Sequence, residues 1–105
     1  MDDREFNTLA ESTLARLESA LERCEADLDF ERQAEGILEI EFATGEKMIV
    51  NRHAGAQEIW VAARSGGYHF RHDGQTWRDT RDGEELFARL SRLLGEGTGA
   101  VFRLD

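Results

Sequence analysis

The hydrophobic period of this chain changes twice along its 105 residues, and the order of those changes limits the fold more than any other feature. From Phe6 to Cys24 apolar residues return every three or four positions, which is typical of an amphipathic helix, so we expect helix one over roughly residues 3–24. From Asp27 to Arg32 apolar and charged residues alternate, as in a half-buried strand. The helical period returns at Leu86, so the segment between the two helices must supply the strands.

The middle of the chain is predicted to be a series of short strands separated by turns. Strands are expected at residues 27–32, 37–42, 47–51, 59–63, 68–70 and 76–78. The turn at residues 43–46 contains Gly45, which can adopt a positive φ and so favours an antiparallel hairpin. Because no segment here is long and periodic enough for a crossover helix, the sheet should be mainly antiparallel.

A second amphipathic helix is predicted near the C-terminal end. Asp82 is a suitable capping residue and is followed three positions later by Glu85, a pattern that opens helices. Leucine and phenylalanine then recur at helical spacing from Leu86 to Leu94, and the glycines of residues 95–99 are expected to end the helix. The apolar tail at residues 100–104 should pack back on the helices.

The fold class that follows is α+β, a two-layer α-β sandwich in a single domain over residues 1–105. Two helices pack on one face of a five- to six-stranded, mainly antiparallel sheet, and the other face is open to solvent. The residues expected to face the helices are Leu28, Phe30, Leu38, Ile40, Phe42, Tyr68, Phe70 and Trp77.

Acidic residues are concentrated in the first half of the chain and follow its predicted elements. Residues 1–50 contain 14 Asp and Glu against 5 Lys and Arg, whereas residues 51–105 contain 8 of each. Six of the acids recur at helical spacing and then at every second position: Glu18, Glu22, Glu25, Asp27, Asp29 and Glu31. The resulting anionic band, interrupted only by Arg23, should attract cations or a basic partner.

Composition argues against several classes of protein. A net charge of −9 disfavours direct binding to DNA or RNA, because affinity for phosphates depends on Lys and Arg. No stretch is apolar enough to span a membrane, and the acidic N-terminus does not match a secretory signal. Cys24, the single cysteine, cannot form an internal disulfide and is expected to be a small buried residue. We therefore expect a folded cytoplasmic protein.

Carboxylate oxygens suit hard cations such as Fe2+, Fe3+, Ca2+ and Mn2+, whose binding also relieves repulsion among neighbouring acids. Glu18 and Glu22 are one helical turn apart and can share an ion, yet the spacing indicates no enclosed site. His69 and His72 should point to opposite faces of a strand, which disfavours a shared metal ion. A solvated acidic surface and a docking site for an arginine-rich patch remain open alternatives.

Trp60 is expected on the open face of the sheet, because its neighbours Ile59 and Val61 alternate out of phase with it. An exposed indole is a frequent interface anchor, and Asn51 is expected on the same face to add polar contacts. The alternative is that neighbouring arginine side chains half cover Trp60.

Several motifs occur together in the order found in one known family. They are Asn51-Arg52, residues 59–70 (Ile-Trp-Val-Ala-Ala-Arg-Ser-Gly-Gly-Tyr-His-Phe), residues 74–79 (Gly-Gln-Thr-Trp-Arg-Asp) and residues 81–85 (Arg-Asp-Gly-Glu-Glu). Glu5-Phe6 and the Gly-Ile-Leu sequence at residues 36–38 fit the same order. Together they resemble the frataxin family, specifically its bacterial branch, called CyaY, over essentially the whole chain.

The resemblance implies an α-β sandwich that binds iron, as Fe2+ or Fe3+, weakly through surface carboxylates. It also implies a cytoplasmic, non-enzymatic regulator of iron–sulfur cluster assembly that docks on a cysteine desulfurase and its scaffold protein. By position, the family's acidic ridge corresponds to Glu18, Glu22, Glu25, Asp27, Asp29 and Glu31. The residues expected to bind the partners are Trp60, Asn51, Glu18, Glu22 and Asp27.

The chain departs from the family's pattern at two places. Ser19 and Arg23 stand where the more heavily charged bacterial members have acids, so we expect weaker iron binding here. The segment Asn-Arg-His-Ala-Gly at residues 51–55 replaces the Asn-Arg-Gln-Glu-Pro that is common in bacterial relatives. The resemblance therefore does not specify the conformation of the loop at residues 52–57.

Other functions remain compatible with the residues. The acids could serve an iron chaperone or a weak ferroxidase that delivers iron to the scaffold, or an acidic mimic of nucleic acid. We expect a monomer, with an iron-dependent oligomer left open. The sequence also leaves open whether the protein donates iron or restrains the desulfurase.

Overall fold

A computed structural model describes residues 1–34, 36–102 and 104 of the chain. The described elements are α1 (Asp3–Arg23), β1 (Leu28–Ala34), β2 (Ile37–Phe42), β3 (Lys47–His53), β4 (Glu58–Ala63), β5 (Gly66–His72), β6 (Trp77–Asp79) and α2 (Leu86–Thr98). The strands lie in chain order across one sheet, and each neighbouring pair is antiparallel. The predicted α+β class and antiparallel sheet are confirmed.

Helix α1 forms where its period predicted it. The Asp2 side chain caps it by accepting a hydrogen bond from the backbone N–H of Glu5 at 2.8 Å. Its buried stripe consists of Phe6, Ala10, Leu14, Leu17 and Leu21. Cys24 follows the last turn in an extended conformation and is half-buried, so it is not the fully buried residue predicted from the helical stripe.

The alternation of the strands separates a buried sheet face from an open one. Of the residues predicted to face the helices, five are buried and Leu28, Phe30 and Tyr68 are half-buried against the core. Ile59 and Val61 of β4 are also buried on this face. The residues that alternate with these buried ones therefore point to the open face of the sheet. The candidate site lies on that face.

Helix α2 extends to Thr98, one turn beyond the predicted end at Leu94. The helix tolerates Gly97 because the Phe42 ring lies directly against it, and a Cβ added there would stand 2.6 Å from Phe42 Cζ. It ends at Gly99, whose φ of 76° is the left-handed conformation that glycine adopts without strain. The prediction that residues 95–99 end the helix is therefore correct for Gly99, whereas Gly95 and Gly97 lie inside the helix.

The N-cap of α2 was predicted at Asp82, but the helix is capped three residues later. Glu85 is the N-cap, and its own side chain accepts a hydrogen bond from the backbone N–H of Ala88 at 3.1 Å. Asp82 instead accepts one from the backbone N–H of Glu84 at 2.9 Å and so closes a turn ahead of the helix.

Arg89 lies on the buried side of α2 and is only 3% exposed. Its guanidinium forms ion pairs with Asp79 at 3.2 Å, with Asp82 at 2.5 Å and with Glu84. The guanidinium carbon also lies 4.5 Å from the centre of the Tyr68 ring. The ion pairs join β6 and the following turn to α2, and the buried charge is fully compensated.

The C-terminal tail packs back on the molecule in part, as predicted. Leu104 is buried, and its backbone N–H donates to Ser91 Oγ at 3.0 Å. Phe102 is half-buried against the core, whereas Val101 points into solvent. Within the described residues, neither helix is long and apolar enough to cross a membrane.

Gly97→Ala should destabilise the protein. The added Cβ meets the Phe42 ring, and overpacking of this kind costs about 1–3 kcal/mol, which exceeds the gain of about 1 kcal/mol in helix propensity. Urea unfolding of Gly97→Ala, Phe42→Leu and the double variant measures the effect. If the smaller side chain of Phe42→Leu does not reduce the cost of Gly97→Ala in the double variant, the contact with the ring is not its cause.

Stability should fall below about pH 4. The backbone N–H groups of Thr76 and Gln75, together with Arg78, lower the pKa of Asp73 to about 2. The backbone N–H of Glu84, with Arg89, lowers the pKa of Asp82. Burial acts to raise the pKa of Glu84, but hydrogen bonds from Arg89 and Arg92 outweigh it and lower that pKa.

Carboxyl groups with a lowered folded pKa contribute stability that is complete above their unfolded pKa, so it is lost as the pH falls through the folded value. Urea unfolding at about pH 7, 4 and 2.5 measures the loss. Asp73→Asn should reduce the slope between the two lower pH values, and an unchanged slope would contradict this assignment.

Candidate functional site

Five of the six predicted acids are exposed, on α1, on β1 and on the four residues between them. We call the set Glu18, Glu22, Glu25, Asp27, Asp29 and Glu31 the acidic ridge. Helix α1 places Glu18 and Glu22 one turn apart, and β1 places Asp29 and Glu31 on the open face of the sheet. Because β1 follows α1 after four residues, the helical and strand parts of the acidic ridge adjoin.

Glu18 differs from the other acids because it is already paired. Arg32 Nε lies 2.7 Å from Glu18 Oε1, and Arg32 Nη1 lies 3.1 Å from Glu11 Oε2. Arg52 Nη1 contacts the second oxygen of Glu11 at 2.9 Å. The prediction that Arg23 alone interrupts the acidic band is therefore wrong, since Arg32 reaches it from β1.

The acidic surface extends onto β2, beyond the six acids predicted from the sequence. Asp29 lies directly opposite Glu41, and Glu31 lies opposite Glu39, so four carboxylates share the open face. Lys47 Nζ lies 3.0 Å from Glu39 Oε1 and partly offsets the repulsion. The alternation of Glu39 and Glu41 with Ile40 was the signal, because it puts both acids opposite the buried face.

The surrounding acids change the pKa of Lys47. Its hydrogen bond and attraction to Glu39, with smaller contributions from Glu41 and Glu31, raise the pKa of the ammonium above its ordinary value. This lysine therefore faces several acids, and the local charge stays negative.

The acidic ridge has the geometry of an open surface. Among residues 1–34, 36–102 and 104, no group of three or more Asp, Glu, His and Cys side chains converges to hold a metal ion. Carboxylates spread over a surface can contribute one or two oxygens each to a hydrated cation, or can pair with basic side chains. A hydrated cation and the basic side chains of a partner would therefore compete for the same carboxylate oxygens.

Trp60 lies on the open face, as its alternation with buried neighbours predicted. It is half-buried between two imidazoles: the ring centres of His53 and His69 lie 3.9 Å and 4.4 Å from that of Trp60, with interplanar angles of 18° and 9°. The alternative prediction of a half-covered indole is correct, but imidazoles and not arginines provide the cover. The three stacked rings form what we call the ring stack.

Glu58 fixes the edge of the ring stack. Its side chain is buried, and Oε1 accepts a hydrogen bond from Trp60 Nε1 at 2.8 Å. Oε2 accepts one from Arg71 at 2.7 Å, and His69 Nδ1 lies 3.7 Å from Oε1. The indole N–H is thus hydrogen-bonded within the protein, and an imidazole covers each face of the indole ring.

Sheet register brings the ring stack together. Trp60 pairs with Asn51 on one side and with His69 on the other, while His53 pairs with Glu58. Asn51 is therefore on the same face as Trp60, as predicted. His72 faces the other way and packs edge-on against Trp77, which confirms that His69 and His72 point to opposite faces.

Comparison with known proteins gives a consistent result along the whole chain. A family model described as the frataxin-like domain matches residues 1–100. The iron-sulfur cluster assembly protein CyaY of Dechloromonas aromatica is 63% identical over 104 residues, which cover 99% of both chains. The protein of the same name from Cupriavidus pinatubonensis is 46% identical over 99% of this chain and 96% of its own.

The fold has a solved counterpart. Frataxin from Psychromonas ingrahamii superimposes with a TM-score of 0.93 and is 28% identical, and the match covers 100% of this chain and 99% of that one. That protein has been described as a model to study stability modulation within the CyaY protein family. The arrangement of two helices and a six-stranded antiparallel sheet is therefore shared with that protein.

The imidazoles of the ring stack should shield Trp60 from solvent. Replacing His53 and His69 by alanine is expected to increase acrylamide quenching of Trp60 fluorescence. The free energy of unfolding should fall by about 1–3 kcal/mol, the sum for two aromatic pairs. The Trp60→Phe variant gives the background signal of Trp77. Equal quenching in the wild type and the double variant would contradict shielding by the imidazoles.

Proposed function

Since the chain belongs to the frataxin-like family, in its CyaY branch, we propose that it acts in iron–sulfur cluster assembly as a non-enzymatic, iron-binding regulator. The relatives at 46–63% identity carry the name iron-sulfur cluster assembly protein. The observation that supports the mechanism best is the continuity of exposed acids from α1 to the open sheet face. We propose a cysteine desulfurase and its scaffold protein as the partners, and the cytoplasm as the place of action.

Electrostatic attraction is the first step of the proposed docking. The exposed members of the acidic ridge, with Glu39 and Glu41, lie on one side of a chain whose net charge is −9. A concentrated negative surface accelerates encounter with a basic partner and orients it. The acidic ridge thus supplies the approach and a large part of the affinity at low salt.

The open sheet face supplies specificity. A partner contacts the exposed edges of the ring stack rather than an indole face, because His53 and His69 cover both faces of Trp60. Asn51 adds an amide beside it. A fixed aromatic anchor loses little conformational entropy on binding, so the partner meets a surface that is already arranged.

Iron binding in this proposal is weak and shares oxygens with docking. Hydrated Fe2+ or Fe3+ would bind to the exposed carboxylates from Glu22 to Glu31, which match its preference for oxygen ligands. Because a bound ion neutralises the charge that attracts a basic partner, iron occupancy and docking influence each other. This coupling would make the effect on cluster assembly depend on iron.

The proposal predicts a change in the rate of cluster formation on the scaffold, driven by the desulfurase, at low and high iron. Glu22→Lys/Asp29→Lys should abolish the change, because two reversed charges turn attraction into repulsion. Glu5→Lys/Glu96→Lys, which makes the same change of net charge away from the acidic ridge, should leave most of it. Inhibition would identify a regulator, and acceleration would identify an iron donor.

Trp60→Arg tests the contribution of the sheet face in the same assay. The side chain is on the open face, outside the core, so the variant should stay folded and lose docking. It should lose only the stability supplied by the stacking and by the hydrogen bond to Glu58. Rates that do not change with either the acidic-ridge variant or Trp60→Arg, at both iron levels, would refute the proposed partners.

A further inference from the structure

Arg32 is a charged residue on the side of β1 that faces the helices. Its register partner is the buried Leu38, so Arg32 projects to the helix side of the sheet, while Asp29 and Glu31 project to the open side. Because β1 is at the edge of the sheet, a long side chain there can pass around the core and reach α1. This placement brings a cation against the back of the acidic ridge.

The guanidinium of Arg32 bridges two acids that are two helical turns apart. It contacts Glu18 through Nε at 2.7 Å and Glu11 through Nη1 at 3.1 Å. The backbones of Glu11 and Glu18 are separated by about 10 Å along the helix axis. Both side chains therefore extend toward one planar group whose several donors contact them together. The two carboxylates therefore form a site whose shape fits a guanidinium, although Arg52 also holds the other oxygen of Glu11 at 2.9 Å.

The bridge is well enough protected to persist. The side chains of Arg32 and Glu18 are only 28% and 27% exposed. Burial alone would lower the pKa of Arg32, but the hydrogen bonds to Glu18 and Glu11 outweigh it and raise the pKa above its ordinary value. A partner's cation would have to displace Arg32 and leave its charge partly buried and unpaired.

We propose that Arg32 is a tethered occupant of a guanidinium site formed by Glu11 and Glu18. It closes this part of the surface to arginine side chains of a basic partner and confines docking to the exposed stretch from Glu22 to Glu31. Arg32 is thus a residue that determines where docking occurs. The inference rests on the proposed function, because it takes the acidic ridge as the docking surface.

Arg32→Met tests this, because methionine keeps the apolar stem and removes the donors. The probe is a capped tetra-arginine peptide at low salt, with its affinity from calorimetry and its position from backbone amide shifts. The variant should bind the peptide roughly fivefold more tightly than the wild type. New shifts should be largest at Glu18 and smaller at Glu11, whose other oxygen stays paired with Arg52. Adding Glu18→Gln to the variant should reverse the gain.

Arg23→Met is the matched control, since it removes the same charge from an exposed position on the acidic ridge. Any gain it causes should shift amides near Glu22 and Glu25, without new shifts at Glu11 or Glu18. If Arg32→Met gains no more than this control, or gains without shifts at Glu11 and Glu18, the inference is wrong.

Arg32→Lys keeps the inference testable if Arg32→Met does not fold. An ammonium contacts one carboxylate at a time, so the variant should open the site partly and give smaller shifts at Glu11 and Glu18. Absence of these shifts would overturn the inference. The peptide assay needs no desulfurase, so failure of the desulfurase to respond would refute the proposed function and leave the peptide result unaffected.

Discussion

Burial of one sheet face against two helices is the constraint on which the other features depend. Leu38, Ile40, Val50, Ile59 and Val61 point inward because their strands alternate, and the same alternation commits every intervening residue to the open face. The core therefore decides which charged and aromatic side chains are available for binding. Moving a strand by one residue would bury the acids of β1 and β2 and expose the core.

Clustered charges are treated differently at two places in the protein: they are neutralised around α2 and left largely uncompensated on the open sheet face. In α2 a buried Arg89 gathers three carboxylates, so the charge is compensated and serves to join the turn to the helix. On the open face, Lys47 offsets part of the charge of four acids, Asp29, Glu31, Glu39 and Glu41. Directly opposed acids oppose sheet formation. The core must offset that repulsion, and the negative surface persists as a result.

The sequence predicted the elements and the fold class because both depend on hydrophobic period. It failed where a tertiary contact overrides a local preference. α2 continues through Gly97, where the Phe42 ring leaves no room for a Cβ, and no pattern in residues 95–99 contains that information. Asp82 is a residue type that often caps helices. Here its side chain instead accepts hydrogen bonds from the backbone N–H of Glu84 and from Arg89.

For the candidate site, alternation placed Trp60 and Asn51 correctly and the helical period placed the exposed acids. Which charges are paired depends on long side chains that cross between elements. Arg32 lies 21 residues from Glu11 and 14 from Glu18. The cover of Trp60 similarly depends on the register of β3, β4 and β5, since it brings His53 and His69 to either side of one ring. Period alone does not specify register.

The position of β1 at the sheet edge gives its acids a second effect. An edge strand presents backbone groups with which a strand of another molecule can pair, and charged side chains along it hinder that pairing. Asp29 and Glu31 occupy this edge, whereas the opposite edge is β6, a strand of only three residues. Substitutions that neutralise the acidic ridge therefore act on solubility as well as on recognition. The pressure against aggregation and the need to bind a partner favour the same side chains here.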